Sequence, residues 1–259
     1  MTDHSPKIDI HYFEPEIKFS DVLVIVTHPT IGTISSICGN YLIEHLNLRL
    51  IGTFLSPELS PTTIIRNGTP EPPIRIYAGE YIEDDSTIFD QIVIISSELP
   101  LSAPLMYELS DRIIEWSKFN NARAILTIEA INKEEVDFKI PNVFSLTTNN
   151  DAKSIIKDLN LNGFENGMIS GFTGLLQYKG FIENYPVISI LSEAHKDFPD
   201  SKSAAAVLSK LNSLLPTIEI DFEPLLKQAE LFEKQLKLAM TQIDKNGTSN
   251  RNSSSGMFA

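Results

Sequence analysis

Val22-Leu23-Val24-Ile25-Val26 is a run of apolar, mostly β-branched residues with no polar position in it. A strand built from it has no face to turn to water, so both faces must be covered, as in the centre of an α/β sheet. The same pattern returns at Gln91-Ile92-Val93-Ile94-Ile95, from Arg123 to Ile128 and from Pro186 to Leu191, with further strands predicted at Leu48–Leu55, Val143–Leu146 and Gly167–Ser170. Between them lie segments of helical spacing. One runs through Ile34, Ile37, Tyr41, Leu42 and His45 to Leu46. The next spans Ala103–Phe119, with Ser102 and Pro104 placed to start it. Others cover Asp151–Leu159, Gly171 to near Asn184, and Ser201–Leu215, the last stopped by Pro216. Such alternation predicts a three-layer αβα domain over residues 1–220, with a mostly parallel sheet covered on both faces.

Two stretches break the rhythm. Residues 1–20 form a lead-in with strand character at Ile8, Ile10 and Tyr12, broken by Pro15. From Ser56 to Pro73 there are five prolines and Gly68, which excludes a regular element. A long excursion is expected there, with short strands around Ile64-Ile65 and Ile74–Tyr77, of the kind that often forms contact surfaces.

The 259 residues carry 34 acidic and 21 basic side chains, a formal charge of −13. That balance opposes sequence-independent binding to nucleic acid or to an anionic membrane. No apolar run is long enough to span a bilayer, and the first residues lack a signal-peptide core. A single cysteine, Cys38, permits no internal disulfide. A cytoplasmic protein is expected.

The last forty residues hold two signals. Phe222, Leu225, Ala229, Phe232, Leu236, Ala239 and Ile243 recur at 3-4 spacing, a heptad seam over 221–243 that Asp221 and Pro224 are placed to start. The seam suits a terminal helix laid on its own domain or one that pairs with copies of itself in a homo-oligomer. Residues 244–259 then turn polar, a tether reaching on the order of 20–25 Å, before closing on Met257-Phe258-Ala259. An apolar tip on a solvated leash is the form of a docking peptide.

Catalytic constellations are scarce. Glu193, His195, Asp197 and Asp200 cluster after the last strand, without the third ligand spacing a metal site needs. Gly171-Phe172-Thr173-Gly174 opens a helix whose amides suit an anion, and Lys179 follows it. His28, His45 and Cys38 read as structural. Neither a phosphate-binding glycine loop with its lysine nor a serine nucleophile elbow occurs. The N-x-[ST] triplets at Asn67, Asn246 and Asn252 are chance matches. No cofactor and no catalytic residue are predicted.

The chain resembles the archaeal proteasome assembly chaperones, the family related to the eukaryotic proteasome assembling chaperone two. The resemblance is carried by Val22–Val26 with Pro29, Gly32 and the helix to Leu46; by Gly167 to Leu176; by Tyr185 to Ala194; by Phe198 to Ala205 with Leu208 and Leu211; and by the heptad helix. Family members often have Pro-Asp-Pro where this chain has Pro199-Asp200-Ser201. The resemblance implies a nucleoside-phosphorylase-like fold without its catalysis, homo-oligomers, and ATP-independent assembly of the 20S proteasome through its α-subunits. It also likens Met257-Phe258-Ala259 to the hydrophobic–tyrosine–any tips of proteasome activators, with phenylalanine lacking the hydroxyl donor. The competing expectation is a nucleotide- or nucleoside-binding enzyme, ATP-grasp-like or phosphorylase-like, using Gly171–Gly174, Lys179 and Glu193.

Overall fold

The structure is a computed structural model, and it describes residues 8–14, 16–80, 88–132, 140–215 and 221–227. Nine strands form one sheet. Its centre is parallel: β7 (Gln91–Ser97), β2 (Val22–Thr27), β8 (Ala122–Asn132) and β11 (Val187–Ala194), in that order. These are the apolar runs of the sequence, and β2 and β7 are buried at every position. Alternate residues divide between two cores. Val22, Val24 and Val26 meet one, while Leu23 and Ile25 meet the other.

The wings depart from the parallel centre. β3 (Arg49–Leu55) and β6 (Ile74–Ala78) extend the sheet antiparallel beyond β7, and β1 (Asp9–Tyr12) closes that edge. On the other side β9 (Val143–Thr147) runs antiparallel to β11 and is followed by the two-residue β10 (Asn162–Gly163). Within the proline-rich excursion, β4 (Ile64–Arg66) and β5 (Thr69–Glu71) make a separate hairpin. Its turn is Asn67-Gly68, both at positive φ (49° and 78°), the backbone a two-residue hairpin loop demands.

Helices cover both faces. α1 (Ile34–His45), α3 (Asn150–Ile155) and α5 (Ser201–Leu214) lie on one, and α2 (Ala103–Phe119) and α4 (Gly171–Ile182) on the other. The Ser102 hydroxyl accepts from the Leu105 amide, so α2 starts where expected. α3 is capped by Asn149 and breaks at Ile155, with a 3-10 turn carrying the chain to Leu159.

Gly167–Ser170 is not a strand. It runs as extended chain outside the sheet into α4, with Met168 98% exposed. The sheet already ends on β9 and β10, and this segment lines the crevice at the strand ends rather than adding a ladder.

Candidate functional site

The sequence places its docking and pairing residues in the terminal segment, most of which lies outside the described residues. Met257, Phe258 and Ala259 fall there, as do Ala229, Phe232, Leu236, Ala239 and Ile243. The start of the seam is described. Leu225 is 6% exposed and belongs to the buried core that also takes in residues of α1 and α5 of its own subunit, with Phe222 and Leu226 packed against it. The carboxylate of Asp221 accepts from the Glu223 amide at 3.1 Å, starting the helical turn at 223–227.

The loops at the C-terminal ends of the central strands enclose a crevice of about 550 Å³. It opens between β2 and β8, where one connection leaves toward β3 and the other toward β9. That divergence is the switch point at which open α/β sheets hold ligands. His28, at the end of β2, is nine-tenths buried and stands 3.5 Å from both the Glu129 carboxylate of β8 and the Thr173 hydroxyl of α4, measured from Nε2. Its ring meets Phe172 edge-on at 5.6 Å. Ser170 begins α4 without a side-chain cap, and it lines the crevice with Gly171 and Phe172. Uncapped amides at a helix start favour an anion. Most of the remaining wall is apolar, including Leu99, Leu101, Met106, Ile131 and Leu191, with Thr30 and Asn132 its polar members.

Two glycines shape this end of the molecule. At Gly32 φ is +60° and a Cβ would stand 2.9 Å from the His195 carbonyl oxygen; at Gly174 it would collide with that of Ile169. Each allows a backbone approach that any side chain would block.

The acidic cluster after β11 serves other ends. Asp200 caps α5 by accepting from the Ser203 amide at 2.9 Å, and its other oxygen holds His195 at Nδ1 (2.8 Å) and the backbone amide (3.1 Å). Glu193 accepts from the amide and side chain of Asn142 at 3.1 and 3.0 Å, tying the end of β11 to the segment before β9. Lys179 turns away from the crevice toward the Tyr107 carbonyl and Asp111. Lys179 and Glu193, two of the groups that phosphoryl chemistry would need, are thus engaged elsewhere. Among the described residues no three His, Cys, Asp or Glu side chains stand together as a metal site. Cys38 is fully buried, its thiol facing the Ala204 carbonyl, and burial pushes its pKa far above the ordinary thiol range.

Glu129 escaped the sequence reading, and Thr173 entered it only as part of the Gly171–Gly174 helix start. Glu129 ends the apolar run of β8 at the height where His28 ends that of β2, and that shared position was the available signal.

A second polar centre was also missed. Arg75, on β6, is fully buried and donates to Glu71 at 2.6 Å and to Glu98 at 2.5 Å. Arg66 of the hairpin joins it by bonding Glu98 and the Asn40 side chain of α1, and Tyr77 donates to Glu71 at 3.3 Å. Burial alone would raise the Glu98 carboxyl, but the bonds from Arg75 and Arg66 outweigh it and hold the group below its ordinary value. Burial pushes the Tyr77 hydroxyl up to about 12. The network pins the hairpin to the sheet.

The model of the PAC2 family matches residues 24–240. The chain belongs to the PAC2 family. Another protein to which it is similar is an uncharacterized one of Methanocaldococcus jannaschii, 28% identical over 224 residues that cover 86% of this chain and 87% of the relative. Among solved structures, the fold is shared with Pyrococcus furiosus PbaA, described as an archaeal homolog of proteasome-assembly chaperone. That match has 24% identity and a TM-score of 0.77, covering 96% of this chain and 99% of PbaA. It is shared equally with Pyrococcus furiosus PbaB, described as an archaeal proteasome activator, at 23% identity and a TM-score of 0.77, covering 90% and 98%. The PAC2 match takes in the crevice and the terminal seam as far as Ala239, and stops before Ile243 and the polar tether.

Proposed function

We propose that this PAC2 chain is an ATP-independent chaperone of proteasome assembly. It binds 20S α-subunits or their ring, with Met257-Phe258-Ala259 docking between subunits and several copies acting together as a homo-oligomer in the cytoplasm. The observation that carries the reading is the PAC2 match over most of the chain. The likeness in fold to PbaA and PbaB supports the same direction. A single tip with Phe258 in place of tyrosine binds weakly, and several tips on one assembly restore avidity. The seam from Ala229 to Ile243 is a candidate for the self-contact. No helix among the described residues is long and apolar enough to cross a membrane.

Pull-down of α-subunits by the full chain and by a chain ending at Gly256 tests the reading. Capture by the first and its loss in the second is the expected result. Equal capture removes the tip from the mechanism, and no capture by either rejects the role.

The crevice favours one other reading, a nucleotide or nucleoside ligand held by the α4 amides and Glu129. A thermal-shift series with ATP, adenosine and inorganic phosphate decides it, since saturable stabilisation by one of them would support that ligand.

A further inference from the structure

Helix α4 turns its polar side chains, Thr173, Gln177 and Lys179, inward, where all three are buried. Its inner positions, among them Phe172 and Leu176, are buried against the sheet. Its outer positions are apolar and open to solvent: Phe181 and Ile182 are each 71% exposed and Tyr178 is 42% exposed. Tyr107 of α2 widens the strip, its ring 6.5 Å from that of Tyr178. Alongside runs a groove of about 330 Å³ walled by Leu146, Phe164, Tyr178 and Phe181, with Glu165 its one charged lining residue. The neighbouring helix α2 presents Glu108, Asp111, Arg112 and Glu115 outward, the ordinary amphipathic pattern. A solvent face made of large apolar side chains is one that a partner ordinarily covers, so the outer face of α4 is built to be covered.

Charge indicates what covers it. The sole charged residue of α4 is Lys179, whose ammonium turns inward to the Tyr107 carbonyl at 2.7 Å and Asp111 at 2.5 Å. At the end of the strip, Glu183 is paired with Lys118 at 2.5 Å. The strip therefore presents no unpaired charge of its own on a chain of net −13. Two copies of so acidic a chain repel each other over most of their surface, and that repulsion is least where acids are missing or neutralised. A basic partner would instead be met by several carboxylates; Tyr107, Tyr178, Phe181 and Ile182 supply none, and the groove beside them supplies only Glu165. Interfaces between identical chains are also the more apolar kind.

We infer that the outer face of α4, with Tyr107, is a contact through which copies of this chain associate. The inference rests on the self-association proposed above and gives it a place away from Leu225, which is buried in its own subunit.

Sedimentation velocity on the full chain over a range of concentrations tests it, with two variants. F181E/I182E places acids on the strip, at positions too exposed to disturb the fold, as an unchanged thermal melt would verify. F232E/L236E does the same to the seam. The expected result is a wild-type mass above that of one chain, with association weakened roughly a hundredfold in the strip variant, the scale of like charges forced together in an interface. That outcome supports the strip whether or not the seam variant also dissociates. Dissociation of the seam variant alone overturns the place and keeps the self-association. A wild type of single-chain mass overturns both. A strip variant that keeps its mass but no longer captures α-subunits overturns the inference and assigns the strip to the partner.

Discussion

The parallel centre of the sheet and the hairpin excursion at its wing are both buried, but by opposite means. In β2, β7, β8 and β11 apolar runs lie between two helix layers. At the wing a fully buried guanidinium, Arg75, joins β6 to β5 and to the end of β7 through two carboxylates, with Arg66 closing the circuit. Apolar burial is non-directional, so the centre tolerates repacking among residues of similar volume. An ion network is directional and holds only while every member has its partner. The centre secures the fold, and the network secures the position of one loop upon it.

The sharpest break in this comparison is Arg75→Met. It leaves Glu71 and Glu98 buried without their main partner and should cost about 3–5 kcal/mol in urea unfolding. Adding Glu71→Gln and Glu98→Gln should restore much of that loss, because the burden is unpaired charge. Ile25→Ala in the centre should cost about 2–5 kcal/mol, and a second substitution at the wing should leave that loss unchanged, for the two regions share no partner. Acid probes the network next. The folded pKa of Glu98 lies below its ordinary 4.5, so its stabilisation is complete above that value and disappears as pH falls through the lower folded one. Unfolding midpoints measured against pH should fall more steeply on the acid side for the wild type than for Glu98→Gln. Smallest is Arg49→Ala, which removes an exposed pair with Glu14 and should cost about 0.2–1 kcal/mol. A larger loss there would mean that exposure does not separate the two kinds of ion pair.

The centre was legible because burial on two faces writes itself as an unbroken apolar run. Ser102 and Pro104 likewise marked the start of α2 to the residue. The hairpin was half legible: Asn67-Gly68 is a strong turn signal, but the surrounding prolines hid β5, and Pro70 is tolerated there because a two-stranded ribbon leaves it an edge. Gly167–Ser170 misled, since an apolar segment reads alike whether it joins a ladder or lines a crevice. Leu225 shows a related limit. Heptad spacing identifies a stripe that will be covered, and it does not say by what. Of Arg66, Glu71, Arg75 and Glu98 only Glu71 and Arg75 are four residues apart, and the meeting of all four depends on β4, β5, β6 and the end of β7 arriving together.

Cys38 carries a practical consequence. Enclosed between α1 and α5, the chain's lone sulfhydryl is shielded from alkylating reagents and from peroxide. A cysteine introduced anywhere on the exterior would therefore be the one reactive handle. Fluorophores could be attached at a chosen point without first stripping the native sulfur, and the path of the C-terminal tether could be followed by energy transfer in the otherwise unaltered protein.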